Sequence, residues 1–333
     1  MRQIAKPFLI HGYKLSTNPN HDNMTTIIKT KNPLKRKLRA VESNIGNTPL
    51  LPVLNLHRNP NVKIFAKAEW LQLSGSVKAR AAFHIIKQAI LEGALDEDRI
   101  LLDATSGNTG IAYATIGKAL GIRVTLLLPE NATRERKEIL TSLGAEIIYT
   151  SRFGGTDEAQ EIARELALKF PEKYFYASQY TNENNWKAHY HGTAEEIISE
   201  IPDITHFTAG LGTTGTFIGT ARRLKEFNPD IQAISLQPDL ALHGLEGWKH
   251  LETAIVPKIY DATVADRNIE VSTVEAYEVL KQFYKESGIL ISPSSAANIS
   301  GALQVANEIE KGTIVTVLPD NADKYSEIIN QII

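Results

Sequence analysis

One lysine of this 333-residue sequence stands where an amine could become a nucleophile. Lys78 follows a Ser-Gly-Ser-Val segment between a predicted strand and a predicted helix, at or near the helix N-terminus. The positive end of a helix dipole disfavours a cation there, and removal from water lowers the pKa of a lysine further. A neutral amine of this kind can form a Schiff base with an aldehyde. A lysine that reaches the surface or binds a carboxylate remains the alternative.

Two loops rich in glycine and threonine each follow a predicted strand and begin a predicted helix. The first reads SGNTG over residues 106–110, and the second reads GLGTTGT over residues 210–216. Glycine permits close approach of the backbone, threonine hydroxyls add donors, and a helix N-terminus favours an anion. The second loop is therefore a candidate phosphate site, although either loop alone is also compatible with an ordinary tight turn.

The second loop matches the dinucleotide-binding pattern Gly-x-Gly-x-x-Gly only in part. Gly210, Gly212 and Gly215 fit, but the acidic residue expected about 20 residues later is at best Asp230, in an Asn-Pro-Asp turn. No Walker motif is present, which disfavours ATP hydrolysis. A Schiff-base lysine with a separate phosphate site instead favours pyridoxal phosphate as the cofactor.

The elements that must hold these loops alternate between strand-like and helix-like from residue 62 onward. The predicted strands are 62–69, 99–104, 122–129, 146–150, 206–209, 231–237 and 313–318. The predicted helices are 79–92, 108–120, 134–143, 156–168, 185–200, 213–225, 273–287 and one that begins at 295. Two such series predict two doubly wound α/β domains with parallel sheets, whose ligands lie beyond the carboxyl ends of the strands.

The composition excludes several classes of protein. The chain has 36 Lys+Arg against 38 Asp+Glu and no cysteine. There is accordingly no disulfide scaffold, no thiolate metal centre and no cysteine nucleophile, and we predict no metal site. The small net charge argues against nucleic acid or an anionic membrane as a partner. No apolar run reaches the ~18 residues of a membrane span, and we expect a cytoplasmic protein.

Residues 1–40 differ in charge from the rest of the chain. They hold nine basic side chains and one acidic side chain, Asp22, for a local net charge of +8. We predict a basic, disordered arm that ends before the folded body begins near Val41. A targeting segment and an upstream start before Met24 are the alternatives.

Four motifs, in order, resemble the cysteine synthase family (O-acetylserine sulfhydrylases). They read IGNTPL at 45–50, GSVK at 75–78, TSGNTG at 105–110 and GLGTTGT at 210–216. The likeness runs from about residue 42 to the end, and residues 204–216 and 254–261 resemble its cysteine synthase B-like branch. It implies the fold type II (tryptophan synthase β-like) architecture of pyridoxal-phosphate enzymes. It also implies a large cofactor-binding domain from 41–71 and 183–333 and a smaller, mobile substrate-binding domain from 72–182.

The resemblance also implies a role for each matching residue. Lys78 would hold the cofactor as an internal aldimine and later transfer the proton. Asn108 would bind the cofactor's 3′ oxygen, and Ser294 would lie beside its pyridine nitrogen. The cofactor's phosphate would be bound by Gly212, Thr213, Thr214, Gly215 and Thr216. The substrate's carboxylate would be bound by Thr105, Ser106, Gly107, Thr109 and Gln179.

Four positions depart from the family pattern. Ala79 replaces the usual Asp after the lysine, while Ser292, Pro293 and Ala296 replace Gly, Ile and Gly around Ser294. We expect crowding at these three positions to alter access to the edge of the pyridine ring.

The implied reaction is a β-replacement that converts O-acetyl-L-serine or O-phospho-L-serine plus sulfide to L-cysteine through an α-aminoacrylate. Lys249 is a candidate to receive the phosphate of O-phosphoserine, unless it is a solvated loop lysine. The resemblance further implies a homodimer and allows a thiocarboxylated carrier protein as sulfur source. The alternatives are a cystathionine β-synthase or serine/threonine dehydratase, or a catalytically weak homologue that acts as a regulatory binding partner.

Overall fold

A computed structural model describes residues 33–105 and 107–333, and their strands form two sheets. The strands are β1 (Leu50–Pro52), β2 (Val62–Ala68), β3 (Ile100–Ala104), β4 (Val124–Pro129), β5 (Glu146–Thr150), β6 (Tyr174–Tyr176), β7 (His206–Gly210), β8 (Gln232–Pro238), β9 (Arg267–Val271) and β10 (Gly312–Leu318). One sheet has the order β1-β2-β10-β7-β8-β9, and the other has the order β5-β4-β3-β6. Every pairing is parallel except that of β1 with β2.

Helices connect these strands. They are α1 (Pro33–Glu42), α2 (Lys78–Leu91), α3 (Asn108–Leu120), α4 (Arg134–Ser142), α5 (Gly155–Lys169), α6 (Asn184–Ala188), α7 (Ala194–Glu200), α8 (Gly215–Phe227), α9 (Thr273–Ser287), α10 (Pro293–Glu308) and α11 (Ser326–Ile332). The helix predicted over 185–200 is divided, because a π-helical turn at His189–Thr193 separates α6 from α7.

Helices cover both faces of each sheet, and apolar side chains fill the space between helices and strands. In β10, Ile314 packs with α9 and α10, whereas its neighbour Val315 packs with α7 and α8. In β3, Leu101 packs with α2 and α3, whereas Leu102 packs with α5. Successive strand residues point to opposite faces, so these pairs show helices on both sides of each sheet. The predicted architecture of two doubly wound α/β domains is confirmed.

Helix α1 corrects the predicted end of the basic arm. Residues 33–40 were assigned to the arm, but they belong to this helix. Leu34, Leu38 and Val41 recur at helical spacing and are buried in the core shared with α2 and α3. The burial of this apolar stripe explains why the basic side chains between them do not prevent folding. The predicted disorder of residues 1–32 lies outside the described residues.

The two sheets divide the chain much as the predicted domains do. All four strands of the smaller sheet lie between residues 72 and 182, and all six strands of the larger sheet lie outside that range. The domain boundaries and the mobility of the smaller domain stay predictions. None of the described helices is both long enough and apolar enough to cross a membrane.

Candidate active site

A cavity of about 280 Å³ lies where the loops after β3 and β7 meet the N-termini of α2 and α10. Most of the predicted site residues line it: Lys78, Thr105, Asn108, Thr109, Gln179, Gly212, Thr213, Thr214, Thr216, Lys249 and Ser294. Gly107 and Gly215 belong to the same loops without lining the cavity, and Ser106 lies outside the described residues. The structure thus brings together residues that are up to 216 positions apart in the sequence, from Lys78 to Ser294.

Lys78 is the first residue of α2 and is half-buried at the cavity wall. The loop before it is held by Val77, whose amide donates to the Pro319 carbonyl at 2.8 Å. Burial lowers the pKa of Lys78, and this effect outweighs the opposing charges of Asp320 and Glu69. The position at the helix N-terminus acts in the same direction. Lys78 is therefore suited to present a neutral amine.

Buried ion pairs fix the first turn of α2 behind this lysine. The Arg80 guanidinium lies 2.7 Å from Glu69 and 2.7 Å from Glu196. Burial alone would raise the pKa of Glu196, but hydrogen bonds and the charge of Arg80 lower it to about 2. Since all three groups are charged and hydrogen-bonded, the network holds α2, and with it Lys78, in one position.

The loop after β3 is organised by its own threonines. The hydroxyl oxygen of Thr105 accepts from the amides of Gly107 at 3.0 Å and Gly110 at 3.1 Å. Thr109 donates to Oε1 of Gln179 at 2.7 Å, and the Gln179 side-chain amide donates to the Ala104 carbonyl at 2.9 Å. Two segments 70 residues apart thereby form one polar wall.

Asp103 lies beneath this wall, and sequence reasoning missed it. Its carboxylate is fully buried and accepts from the amides of Ala104 at 2.9 Å and Gln179 at 3.2 Å. Burial raises the pKa of Asp103 to about 7, against the effect of these hydrogen bonds. A polar residue within the apolar strand Ile-Leu-Leu-Asp-Ala was a signal that could have revealed it.

The loop after β7 ends at the N-terminus of α8. Thr214 adopts a left-handed backbone conformation with φ of +71°, and its hydroxyl is buried without a hydrogen-bond partner among the described residues. The loop also requires small residues, because a Cβ on Gly212 would lie 2.0 Å from the Gly247 carbonyl oxygen. Helix N-terminal amides with an unpartnered hydroxyl form an arrangement that binds a phosphate.

Asn185 joins the two loops and was also missed. Its side-chain amide donates to the Gln179 carbonyl at 2.7 Å and to the Thr213 hydroxyl at 3.0 Å. A Cβ on Gly215 would lie 2.0 Å from the Asn185 side-chain oxygen, so this residue also accounts for the glycine.

The sequence pattern of the family described as "Pyridoxal-phosphate dependent enzyme" matches residues 41–320. The chain belongs to this family. It is an enzyme of the cysteine synthase type, and pyridoxal phosphate is its cofactor.

Curated relatives agree with this assignment. The chain is 44% identical to a cysteine synthase of Aquifex aeolicus, over 88% of this chain and 92% of that protein. It is 36% identical to cysteine synthase B of Pseudomonas aeruginosa, over 84% and 93% of the two chains. It is also 34% identical to an O-acetylserine dependent cystathionine β-synthase of Bacillus subtilis, over 84% and 94%.

Solved structures give the same result. A cysteine synthase of Entamoeba histolytica superposes with a TM-score of 0.80 at 30% identity, over 96% of this chain and 93% of that chain. A hydrogen sulfide-producing enzyme of Fusobacterium nucleatum has a TM-score of 0.80 at 33% identity, over 86% and 98%. The enzyme type is therefore established, whereas its relatives differ in what they act on.

The cavity of the enzyme fits pyridoxal phosphate. Lys78 offers an amine for the aldehyde, and the loop that holds Thr214 offers a buried, unpartnered hydroxyl for the phosphate. Asn108 donates to Oδ2 of Asp320 at 2.8 Å, and its own Oδ1 is buried without a partner among the described residues. Tyr325 also donates to this carboxylate oxygen, at 2.7 Å. Asp320 and Tyr325 thus fix Asn108 at the cavity wall, a role that sequence reasoning missed.

The departures from the family pattern have structural explanations in the enzyme. Ser292 is the N-cap of α10 and accepts from the Ser295 amide, and Pro293 occupies the first turn, where its missing N–H costs nothing. Ala296 and Ala79 are buried apolar residues. Ser294 remains at the cavity, with its hydroxyl 3.1 Å from that of Ser292.

A segment after β8 contributes residues 246–249 to the lining of the enzyme's cavity. Lys249 lies 3.2 Å from Asp157 of α5, so the alternative of a solvated loop lysine does not describe it: its side chain is ion-paired. Glu246 forms an ion pair with Arg136 of α4. Both pairs connect this segment to helices that flank the smaller sheet. No group of three or more acidic, histidine or cysteine residues suited to a metal ion occurs in the described part of the chain.

Proposed function

We propose that the enzyme is a cysteine synthase that replaces the β-substituent of an O-activated L-serine with sulfide. One observation carries this proposal: Lys78, whose pKa is lowered by burial, lines the same cavity as the loops that hold Thr109 and Thr213. One cavity thus offers an amine for the cofactor's aldehyde, a site for the cofactor's phosphate and a site for the carboxylate of an amino acid.

The roles of the side chains follow from their chemistry. When bound, pyridoxal phosphate supplies the electron sink that makes the α-proton of an amino acid acidic. Lys78 would accept that proton, because burial lowers its pKa and so favours the neutral amine, and because it lies at the cavity wall. Thr105, Gly107, Thr109 and Gln179, together with Ser106, would orient the substrate's carboxylate at the N-terminus of α3.

The remaining roles concern the cofactor. The loop from Gly212 to Thr216, including Thr213, Thr214 and Gly215, would bind its phosphate. Asn108 would bind its 3′ oxygen. Ser294 would contact its pyridine nitrogen with a neutral hydroxyl, which favours elimination of the β-substituent over reactions that need a longer-lived carbanion.

The preferred substrates are O-acetyl-L-serine or O-phospho-L-serine with sulfide, and a thiocarboxylated carrier protein is a further possible sulfur source. Lys249 is the proposed contact for the phosphate of O-phosphoserine because it lines the same cavity as Lys78. A cystathionine β-synthase activity is the second candidate, supported by the 34% identical relative of that name in Bacillus subtilis.

A homodimer in the cytoplasm is proposed from the family resemblance. Light scattering would test the oligomeric state, and cell fractionation would test the location.

The deciding experiment combines each donor with each sulfur acceptor. O-acetylserine, O-phosphoserine and serine are each mixed with sulfide or homocysteine, and cysteine, cystathionine and pyruvate are quantified. Cysteine from an O-activated serine and sulfide is the expected major product. Cystathionine as the major product would favour the second candidate, and pyruvate alone would indicate a dehydratase. A bound cofactor whose absorbance responds to no donor would indicate a regulatory homologue and contradict the proposal.

A further inference from the structure

A chain of hydrogen bonds runs from the carboxylate site to the phosphate loop. Thr109 donates to Gln179 at 2.7 Å, Asn185 donates to the Gln179 carbonyl at 2.7 Å, and Asn185 donates to the Thr213 hydroxyl at 3.0 Å. The four residues come from α3, the segment after β6, α6 and the loop before α8. Gln179 connects the two ends, because its side-chain oxygen accepts from Thr109 and its main-chain carbonyl accepts from Asn185.

All four residues of this hydrogen-bonded path are shielded from water. Thr109 is 6% exposed, Gln179 and Asn185 are each 2% exposed, and Thr213 is 8% exposed. Water therefore does not compete for these bonds, and a shift of one member leaves a buried polar group unsatisfied unless the next member follows.

The Asn185 amide group determines how Thr213 is oriented. Because the Thr213 hydroxyl oxygen accepts from Asn185, its proton is directed to another acceptor, and the cavity lies on its open side. A phosphate in the loop would accept this proton and polarise the hydroxyl, which strengthens the bond from Asn185. The same amide group holds the main chain of Gln179, whose side chain forms part of the carboxylate site.

We propose that Asn185 is a positioning residue that couples occupancy of the phosphate loop to the affinity of the carboxylate site. This inference rests on the proposed function for the assignment of the two loops. The coupling is reciprocal. If the bound cofactor phosphate increases the affinity of the Thr109–Gln179 wall for a carboxylate, a bound carboxylate increases the affinity for the cofactor by the same factor. Asn185 itself need touch neither ligand.

The test reconstitutes the full chain with pyridoxal phosphate, with acetate as a probe that has a carboxylate but no amine. The dissociation constant of pyridoxal phosphate is measured from its absorbance with and without saturating acetate. We expect acetate to tighten cofactor binding about tenfold in the natural protein. Asn185→Asp keeps the shape of the side chain and removes the donors to the Gln179 carbonyl and to the Thr213 hydroxyl. The effect of acetate on the dissociation constant of the cofactor should therefore fall below about twofold. The added negative charge weakens cofactor binding both with and without acetate, so its effect cancels in the ratio of the two dissociation constants.

Two further variants make the outcome specific. Asn184→Asp adds the same charge one residue away, and it should keep the tenfold factor because Asn185 retains its contacts. Thr213→Val removes the acceptor of the second bond and also the hydroxyl donor to the phosphate. It should weaken cofactor binding with and without acetate and reduce the tenfold factor as Asn185→Asp does, and it serves as the test if Asn185→Asp does not fold. An unchanged factor in both Asn185→Asp and Thr213→Val, or no coupling in the natural protein, would overturn the inference.

Failure of the proposed function would look different. Neither acetate binding nor cofactor retention requires turnover. A natural protein that shows the coupling but forms no cysteine from either donor would reject the proposed function and leave this inference standing.

Discussion

The Nζ atom of Lys249 lies 3.2 Å from Oδ1 of Asp157, so α5 holds this lysine of the segment after β8 at the cavity wall. The Lys249 side chain is 13% exposed and that of Asp157 is 34% exposed. A second contact supports the lysine, because its ammonium lies 5.2 Å from the centre of the Tyr180 ring. The cation is therefore positioned beside the substrate cavity, but its charge is already balanced.

This pair leads to a prediction about the choice of donor. We expect Lys249→Ala to lower kcat/KM for O-phosphoserine about tenfold, because a phosphate dianion forms a charge-assisted hydrogen bond that a neutral acetyl group does not. The value for O-acetylserine should change less than about twofold. Steady-state kinetics with both donors measures this, and Lys258→Ala, an exposed lysine outside the cavity, is the control. Equal losses with both donors would rule out this role for Lys249.

Lys78 should carry both the attachment of the cofactor and the proton transfer. We expect Lys78→Ala to reduce cysteine formation by about 10³-fold, since a positioned general base contributes on this order. Borohydride reduction followed by peptide mass spectrometry should find the cofactor on Lys78 in the natural protein. Lys324 is the matched control, because it is buried nearby, with its ammonium 2.8 Å from the Gly75 carbonyl. Label on Lys324 instead, or full activity of Lys78→Ala, would contradict the assignment.

The parts of the site that could be predicted from the sequence are those with strong local signals. The loops of 105–110 and 210–216 combine glycines, hydroxyl residues and a preceding apolar strand within a few positions. Lys78 was recognisable because the predicted helix over 79–92 begins directly after it. In each case the relevant physics (close backbone approach and a helix N-terminus) depends only on neighbours along the chain.

The missed residues depend on neighbours that the sheet order brings close. Asp103 is buried because β3 is an inner strand of the smaller sheet, and Asn185 reads as an ordinary residue near the start of a polar helix until Thr213 and Gln179 are beside it. The Arg136–Glu246 pair joins positions 110 residues apart. Spacing within one element contains no information about such contacts.

The missed elements are short or atypical. Strands β1 and β6 have three residues each, which is too few for alternation to be recognised. Strand β9, Arg-Asn-Ile-Glu-Val, is at the sheet edge and has only two buried residues. Helix α1 was hidden by its basic residues, because its apolar stripe of Leu34, Leu38 and Val41 is narrow.

The ion pair of Arg136 and Glu246 predicts sensitivity to free anions. Burial acts to lower the pKa of Arg136, but the charge and hydrogen bond of Glu246, together with Tyr325 and Asp320, outweigh it and the pKa is raised. Glu246→Gln removes this counter-charge next to the loop of Gly107. We expect sulfate, at constant ionic strength, to inhibit the variant with an inhibition constant about tenfold lower than in the natural protein. Glu252→Gln, an exposed neighbour, should behave like the natural protein, and an unchanged constant in Glu246→Gln would refute the prediction.

Asp103 predicts how stability depends on pH. Its pKa in the folded protein is raised to about 7, above the ordinary value of 3.8, so between these values the folded state binds more protons than the unfolded state. Unfolding free energy should therefore decrease as pH rises from about 4 to about 7 and then level off, a contribution of up to about 4 kcal/mol.

The Asp103→Asn variant tests this, because it removes the titrating group. Its melting temperature should fall less than that of the natural protein between pH 5 and about pH 8. Asp98→Asn, an exposed acid before the same strand, should retain the natural slope. A parallel decline in all three proteins would show that Asp103 is charged throughout this range and that the hydrogen bonds from Ala104 and Gln179, rather than burial, control its ionisation.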